Sequence, residues 1–289
     1  MLQSLVRDRA GQAAALEVSI AQSEREVIDA QRLRYQVFAG EMGASLKSAD
    51  SGLDCDAYDA HCEHLIVRDT ASGEVRSLHV GGTPHGLAVA GDSLYVIDRS
   101  VNAIRRFALD TWAERAPVAS GAWPHIVETR PDGSLAIANA ANDTLTLGDR
   151  AVPVSHVPES VAVAPDGRVA TAGSVGGLIE VLDARGALIA QHEVGGRPVR
   201  LQYDPLGEVL AASLSADGVV ALVQHGQVRR VVVGAVPDGL AFSPDGRWLY
   251  VGDMVGGAVS VVEVAPARVV QRIPVAESVG TLLVLPFTR

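Results

Sequence analysis

Five short segments place a chemically useful side chain directly after a proline: GGTPHGLAV, GAWPHIVET, SHVPESVAV, GGRPVRLQY and GAVPDGLAF. The residues after the prolines are His85, His125, Glu159, Val199 and Asp238, with Arg200 next to Val199. Imidazoles, carboxylates and a guanidinium gathered at one place can hold a small polar ligand or a metal. Equivalent polar positions recur further along the copies at Asp98, Asn139, Asn142 and Asp253. Two readings stand at this stage. These loops are polar because water covers them and their histidines bond to backbone, or they converge on a ligand. No metal-ligand spacing is present, nor H-E-x-x-H, G-x-S-x-G, a Walker loop or C-x-x-C, so neither metal nor other cofactor is expected.

The elements that would bring these residues together follow from the spacing of the prolines. Pro84, Pro124, Pro158, Pro198 and Pro237 lie 40, 34, 40 and 39 residues apart. Between them sit short apolar runs and turn signals. In 234–264 the run Leu240–Phe242 is followed by Pro244-Asp245-Gly246, then Trp248–Asp253, Gly256-Gly257 and the Val-rich run Ala258–Val264. Proline presets φ, glycine accepts φ > 0, and alternating Val favours strands. A period near forty with four strands per unit is that of a β-propeller blade. The entry to each first strand and the exit from each second strand then share one face around a central channel.

The copies resemble the YVTN and NHL families of propeller repeats over about residues 64–289. The resemblance implies an all-β fold of five complete four-stranded blades plus a composite closing blade, with a small α/β segment before it. HLIVRDTASGEVRSLHVGG at 64–82 aligns with the end of the last copy, and GTLLVLP at 280–286 reads as a first strand without successors. These two stretches are expected to close the ring, with Leu16–Ile20 as a further strand. Propellers serve enzymes, ligand binders and scaffolds alike, so the repeat alone assigns no activity.

The N-terminal residues read differently. Ser23 to Phe38 carries an S-x-x-E capping box at Ser23 and Glu26, and an apolar stripe of Val27, Ala30, Leu33 and Val37, so a helix is expected. LRYQVFAGEMG at 33–43 and GLDCDAYDAHCEHLIVRDTASGEV at 52–75 resemble the start of the ornithine-lipid N-acyltransferases, which have an acetyltransferase-like fold. That resemblance implies transfer of an acyl chain from acyl carrier protein to ornithine, and makes Arg34, Phe38, Asp54, Asp56 and Asp59 the matching site positions. A strand and phosphate-cradling loop should follow in that family; propeller repeats follow here instead. Residues 1–63 are therefore expected to be a truncated acyltransferase-like segment, and 64–289 the propeller.

Composition narrows the partners. The chain has 289 residues, 48% of them hydrophobic, and a formal net charge of −10, which disfavours nucleic acid and anionic membrane surfaces. No uninterrupted apolar run is long enough to span a bilayer, and charges at Arg7, Asp8, Arg9 and Glu17 interrupt the start, so a cytoplasmic protein is expected. The two cysteines, Cys55 and Cys62, are too few for a disulfide framework. The expected function is a module that binds a small polar ligand or a protein at its loop face through His85, His125, Glu159, Arg200 and Asp238, without an intact catalytic site. The alternatives are the N-acyltransferase, with its donor half missing, and a propeller lyase or lactonase.

Overall fold

The structure is a computed structural model and describes residues 2–7, 13–20, 24–35, 49–55, 65–69 and 84–275. The chain forms two compact units, Met1–Gly81 with Leu285–Arg289, and Gly82–Val284.

In the second unit each repeat folds as one four-stranded antiparallel meander. The first strands are Pro84–Ala90 (β4), Pro124–Thr129 (β8), Pro158–Val163 (β12), Pro198–Tyr203 (β16) and Pro237–Phe242 (β20). They lie beside one another in chain order. The second strands are Ser93–Asp98 (β5), Leu135–Asn139 (β9), Val169–Gly173 (β13), Val209–Leu214 (β17) and Trp248–Asp253 (β21). The third are Ala103–Ala108 (β6), Thr144–Leu147 (β10), Leu178–Leu182 (β14), Val219–Gln224 (β18) and Ala258–Glu263 (β22). The fourth are Glu114–Ala119 (β7), Arg150–Pro153 (β11), Leu188–Glu193 (β15), Gln227–Val232 (β19) and Arg268–Pro274 (β23). Five such sheets make five blades of a propeller.

The residue types explain the layering. Every residue of β9, β13 and β17 is buried, and their sequences LAIAN, VATAG and VLAASL read as near-continuous small apolar runs. A strand covered on both faces needs no polar alternation. Alanines at 136, 138, 170, 172, 211 and 212 are almost wholly enclosed, and their size lets neighbouring sheets come close. The core is therefore a row of interfaces between blades: Ile97, Ile104 and Ile137 between the first two, Leu145, Val161 and Val169 between the next, Ile179 and Leu214 between the third and fourth, and Leu222, Leu249 and Phe242 between the last two. Fourth strands such as Glu114–Ala119 face water, with no residue buried. On the face away from the prolines, arginines latch one blade to the next: Arg130 Nη2 donates to the Ala184 carbonyl at 2.5 Å and Arg168 Nη2 to that of Gly207 at 2.6 Å.

In the first unit, Leu2–Arg7 (β1) and Ala13–Ile20 (β2) pair antiparallel, and β2 pairs antiparallel with Leu65–Asp69 (β3). The strand expected at Leu16–Ile20 is present and begins three residues earlier, at Ala13. It is the immediate neighbour of 65–69, with Ile20 opposite Leu65. The helix is Glu24–Tyr35 (α1), inside the stretch expected from the sequence pattern. The expected C-terminal closing strand at 280–286 lies outside the described residues, as do Ser23, Val37 and Phe38.

Candidate functional site

Each proline opens its blade by pairing with the last residue of the second strand: Pro84 with Asp98, Pro124 with Asn139, Pro158 with Gly173, Pro198 with Leu214 and Pro237 with Asp253. In every blade the register then slips. The residues left out of the ladder are His85 and Gly86, His125, Glu159, Val199, and Asp238 and Gly239. A bulge re-aims the side chain that it frees. The position singled out by sequence is thus the bulged position of every blade. Gly86 serves the close approach here, since a Cβ on it would sit 3.3 Å from the His125 carbonyl oxygen and 3.1 Å from Ile97 Cδ1.

The freed side chains meet. His85 Nδ1 lies 2.8 Å from the His125 carbonyl oxygen, and the two imidazoles stack at 4.5 Å between centroids with a tilt of 54°. A carbonyl only accepts, so His85 carries its proton on Nδ1 and leaves Nε2 as the acceptor. Arg200 Nε lies 3.4 Å from Asp238 Oδ1. Arg197 Nη2 donates to both Glu159 oxygens, at 3.0 and 3.1 Å. Arg99, just past the exit of β5, donates through Nε to the Pro124 carbonyl at 3.3 Å, and its guanidinium lies 5.2 Å from the Trp123 ring centroid.

These neighbours set the protonation states. Burial lowers the pKa of His125 to about 4, with Arg99, His85 and Arg200 adding to the effect and Glu159 opposing it. Burial also lowers that of His85, opposed by its bond to the His125 carbonyl and aided by Arg99 and Arg200. Burial pushes the Asp238 carboxyl up, against the pull of Arg200. At neutral pH the site therefore holds two neutral imidazoles beside three guanidinium groups, two of them paired with Glu159 and Asp238. That field repels a cation, and among the described residues no three His, Cys, Asp or Glu side chains converge as metal ligands. The arrangement can donate and accept hydrogen bonds to a polar ligand. Among the described residues neither imidazole holds a nucleophile.

The polar residues at the second-strand exits do other work. Asp253 accepts from the backbone amides of Ala235 at 2.8 Å, Val236 at 3.0 Å, Val255 at 3.2 Å and Gly256 at 2.9 Å. Asn139 Oδ1 takes the Gly121 amide at 3.0 Å while its Nδ2 donates to Thr144 and Thr146, and Asn142 takes the Ala122 amide at 3.1 Å. Asp98 holds the Ser100 amide and hydroxyl. Asp253, Asn139 and Asn142 thus clamp the entry loop of their blade to its exit turn, and Asp98 shapes its own exit turn.

Arg99, Arg197 and Trp123 join the site without having been singled out by sequence. Trp123 was legible as an oddity: it is the one aromatic residue among the five that precede the prolines. Of the acyltransferase positions, Arg34 lies on α1, and Asp54 donates its amide to the Gln31 carbonyl at 3.0 Å. Phe38, Asp56 and Asp59 lie outside the described residues.

Fold and site together define a propeller with a polar channel mouth and a separate N-terminal unit. Comparison with known proteins finds likenesses in both parts of the chain, one of which crosses the boundary between the two units. Residues 33–102 match the model of an acetyltransferase (GNAT) domain. That match runs on through β4 and β5, which here belong to the first blade. The chain is similar to the L-ornithine N(alpha)-acyltransferase of Brucella abortus, with 41% identity over 63 residues, and to that of Rhizobium meliloti, with 39% over 77. These stretches are 21% and 26% of this chain, and the chain spans 22% and 26% of the length of those two relatives. Among solved structures it is similar to the Cps50 (Swd1) β-propeller domain of Myceliophteria thermophila, with TM-score 0.62, 14% identity, and 75% of this chain and 82% of that one covered. It is also similar to virginiamycin B lyase from Staphylococcus aureus, with TM-score 0.58, 13% identity and coverage of 66% and 69%. At such identities these likenesses show the fold alone.

Proposed function

We propose that the propeller is a binding module that takes a small polar ligand or a protein segment at the channel mouth, through His85, His125, Glu159, Arg200 and Asp238. One observation carries the reading: the register slips at the same place in all five blades and frees His85, His125, Glu159, Val199 and Asp238 from the ladder, with Arg200 the next paired residue. The rim supports it. The turns after the second strands bring Val101, Val175 and Val255 to the same face, 63%, 62% and 67% exposed. A polar centre ringed by apolar residues offers both specificity and buried area.

The test is a thermal-shift screen of the full chain against small acids, amides and amines, beside a His85→Ala/His125→Ala variant. A compound that stabilises the wild type and not the variant supports the mouth as the site. Equal stabilisation of both proteins by every binder counts against it.

A second reading is favoured by the identity of 39–43% to L-ornithine N(alpha)-acyltransferases over 61–77 residues. Under it, residues 1–63 keep acyl-carrier-dependent N-acyltransferase activity, with Arg34, Phe38, Asp54, Asp56 and Asp59 at the site. Incubation with an acyl carrier protein thioester and ornithine decides between the readings: acyl-ornithine supports it, and its absence beside an active control removes it.

A further inference from the structure

Three guanidinium groups stand at the channel mouth, and they are not equivalent. Arg197 is held by Glu159 and Arg200 by Asp238. Arg99 forms no ion pair with any described carboxylate; burial disfavours its charge, and the more distant Glu159 carboxylate partly opposes that. Its Nε is bound to the Pro124 carbonyl, which fixes the group beside His125, while its Nη2 is buried and has no hydrogen-bond partner among the described residues. His125 Nδ1 is also buried and without such a partner. An enclosed guanidinium nitrogen and an enclosed imidazole nitrogen left unmatched on adjoining residues are costly unless something binds them.

The neighbouring aromatic residue offers a face beside these groups. Trp123 is held at φ 56°, as is Val157 before the next proline, so the left-handed turn belongs to the repeat and the indole is what is particular to this blade. Its amide donates to Asn102 Oδ1 at 2.8 Å, its ring lies against the Arg99 guanidinium, and 50% of its surface is exposed.

We infer that the channel mouth binds the carboxylate of a planar organic acid. One carboxylate oxygen takes the Arg99 Nη2 proton, the other takes the proton of a neutral His125 in its Nδ1–H tautomer, and the planar body lies along Trp123. This rests on the reading of the mouth as the binding face and names the class of its ligand. Arg99 and Arg200 repel a cation, and a neutral amide leaves the Arg99 charge unmatched. Two donors suit the two oxygens of a carboxylate, whereas a phosphate presents three.

The test uses the full chain with benzoate, benzamide and inorganic phosphate, read by Trp123 fluorescence and by calorimetry. Benzoate should change the emission of the wild type, and binding should weaken by roughly tenfold or more in Arg99→Met, as loss of a charge-assisted hydrogen bond requires. Trp123→Gly, which accepts the left-handed φ without strain, should stay folded and lose the fluorescence response. Benzamide binding as tightly as benzoate, phosphate binding more tightly, or Arg99→Met binding benzoate like the wild type would each overturn the carboxylate assignment. None of these would touch the mouth as a binding face, which fails separately if no compound in the thermal-shift screen depends on His85 and His125. Absence of any benzoate response in the wild type also overturns the inference. Arg99→Met should unfold no earlier than the wild type, so lost binding can be separated from lost folding.

Discussion

At the scale of single residues, the mouth is governed by charge that burial keeps strong. His125 carries a pKa near 4 because it is enclosed and because Arg99 stands beside it. Replacing Arg99 by Ala should therefore raise the pKa of His125, and that of His85, in a histidine NMR titration; no upward movement would separate the arginine from the imidazoles. The same shift has a sign for stability. The folded pKa lies below the ordinary value of about 6.5, so the folded state binds the proton less readily than the unfolded chain. The neutral His125 stabilises fully above pH about 6.5. Its contribution declines as pH falls toward about 4 and is constant below. A His125→Gln variant should show a flatter dependence of stability on pH across that interval. His85, His125, Glu159, Arg200 and Asp238 were legible in the sequence because each sits at or beside one position of an aligned repeat. Arg99 was not, because it reaches the site across the gap between blades, and Trp123 was so only as the one aromatic residue among those before the aligned prolines.

At the scale of strands and turns, the residues that sequence grouped together separate by role. Asp253 has the same polar character as Asp238, yet it sits on the ladder side of the bulge and faces backbone amides. Gly234 and Gly256 leave room for its carboxylate, since a Cβ on either would overlap it. Asp253→Ala should leave four amides without their acceptor and destabilise the protein by about 3 kcal/mol, measured as a lower urea midpoint with unchanged slope. A change below about 0.5 kcal/mol would show that the clamp is redundant. Burial raises the Asp253 pKa, but its backbone bonds outweigh that and hold it below the usual range. Its stabilisation is thus present above the unfolded carboxylate pKa and is lost as pH falls through the folded value. The strands themselves were plain in sequence, because runs such as VATAG and VLAASL suit only a place between two sheets. The bulges were not, since a register slip depends on which amide of the neighbouring strand is answered.

At the scale of the whole molecule, the period of the prolines was enough to give five blades, because each forty-residue unit is one meander that needs a neighbour to cover it. The stretch after residue 64 was placed in part. Its likeness to the end of a repeat, with Leu16–Ile20 as a further strand, agrees with the pairing of Leu65–Asp69 with β2 in the register Leu16 to Asp69, while the outer strand expected after it lies outside the described residues. Alternation of apolar residues marks a strand but does not choose its partner. Limited proteolysis should reflect the two units: cleavage near Gly81 and Gly82 should release a stable fragment beginning near residue 82. Loss of the propeller at the same rate as the N-terminal residues would mean that the two unfold together.

The central claim is that binding occurs at the mouth formed by the five inner strands rather than in the outer clefts. Four described histidines report on it, His85 and His125 at the mouth, and His192 and His225 on the outer strands and turns of the propeller. In a spectrum of the full chain labelled at histidine, titrated with the small acids, amides and amines of the screen, the first compound to bind should move His85 and His125 and leave His192 and His225 in place. Movement confined to His192 or His225 would contradict the account.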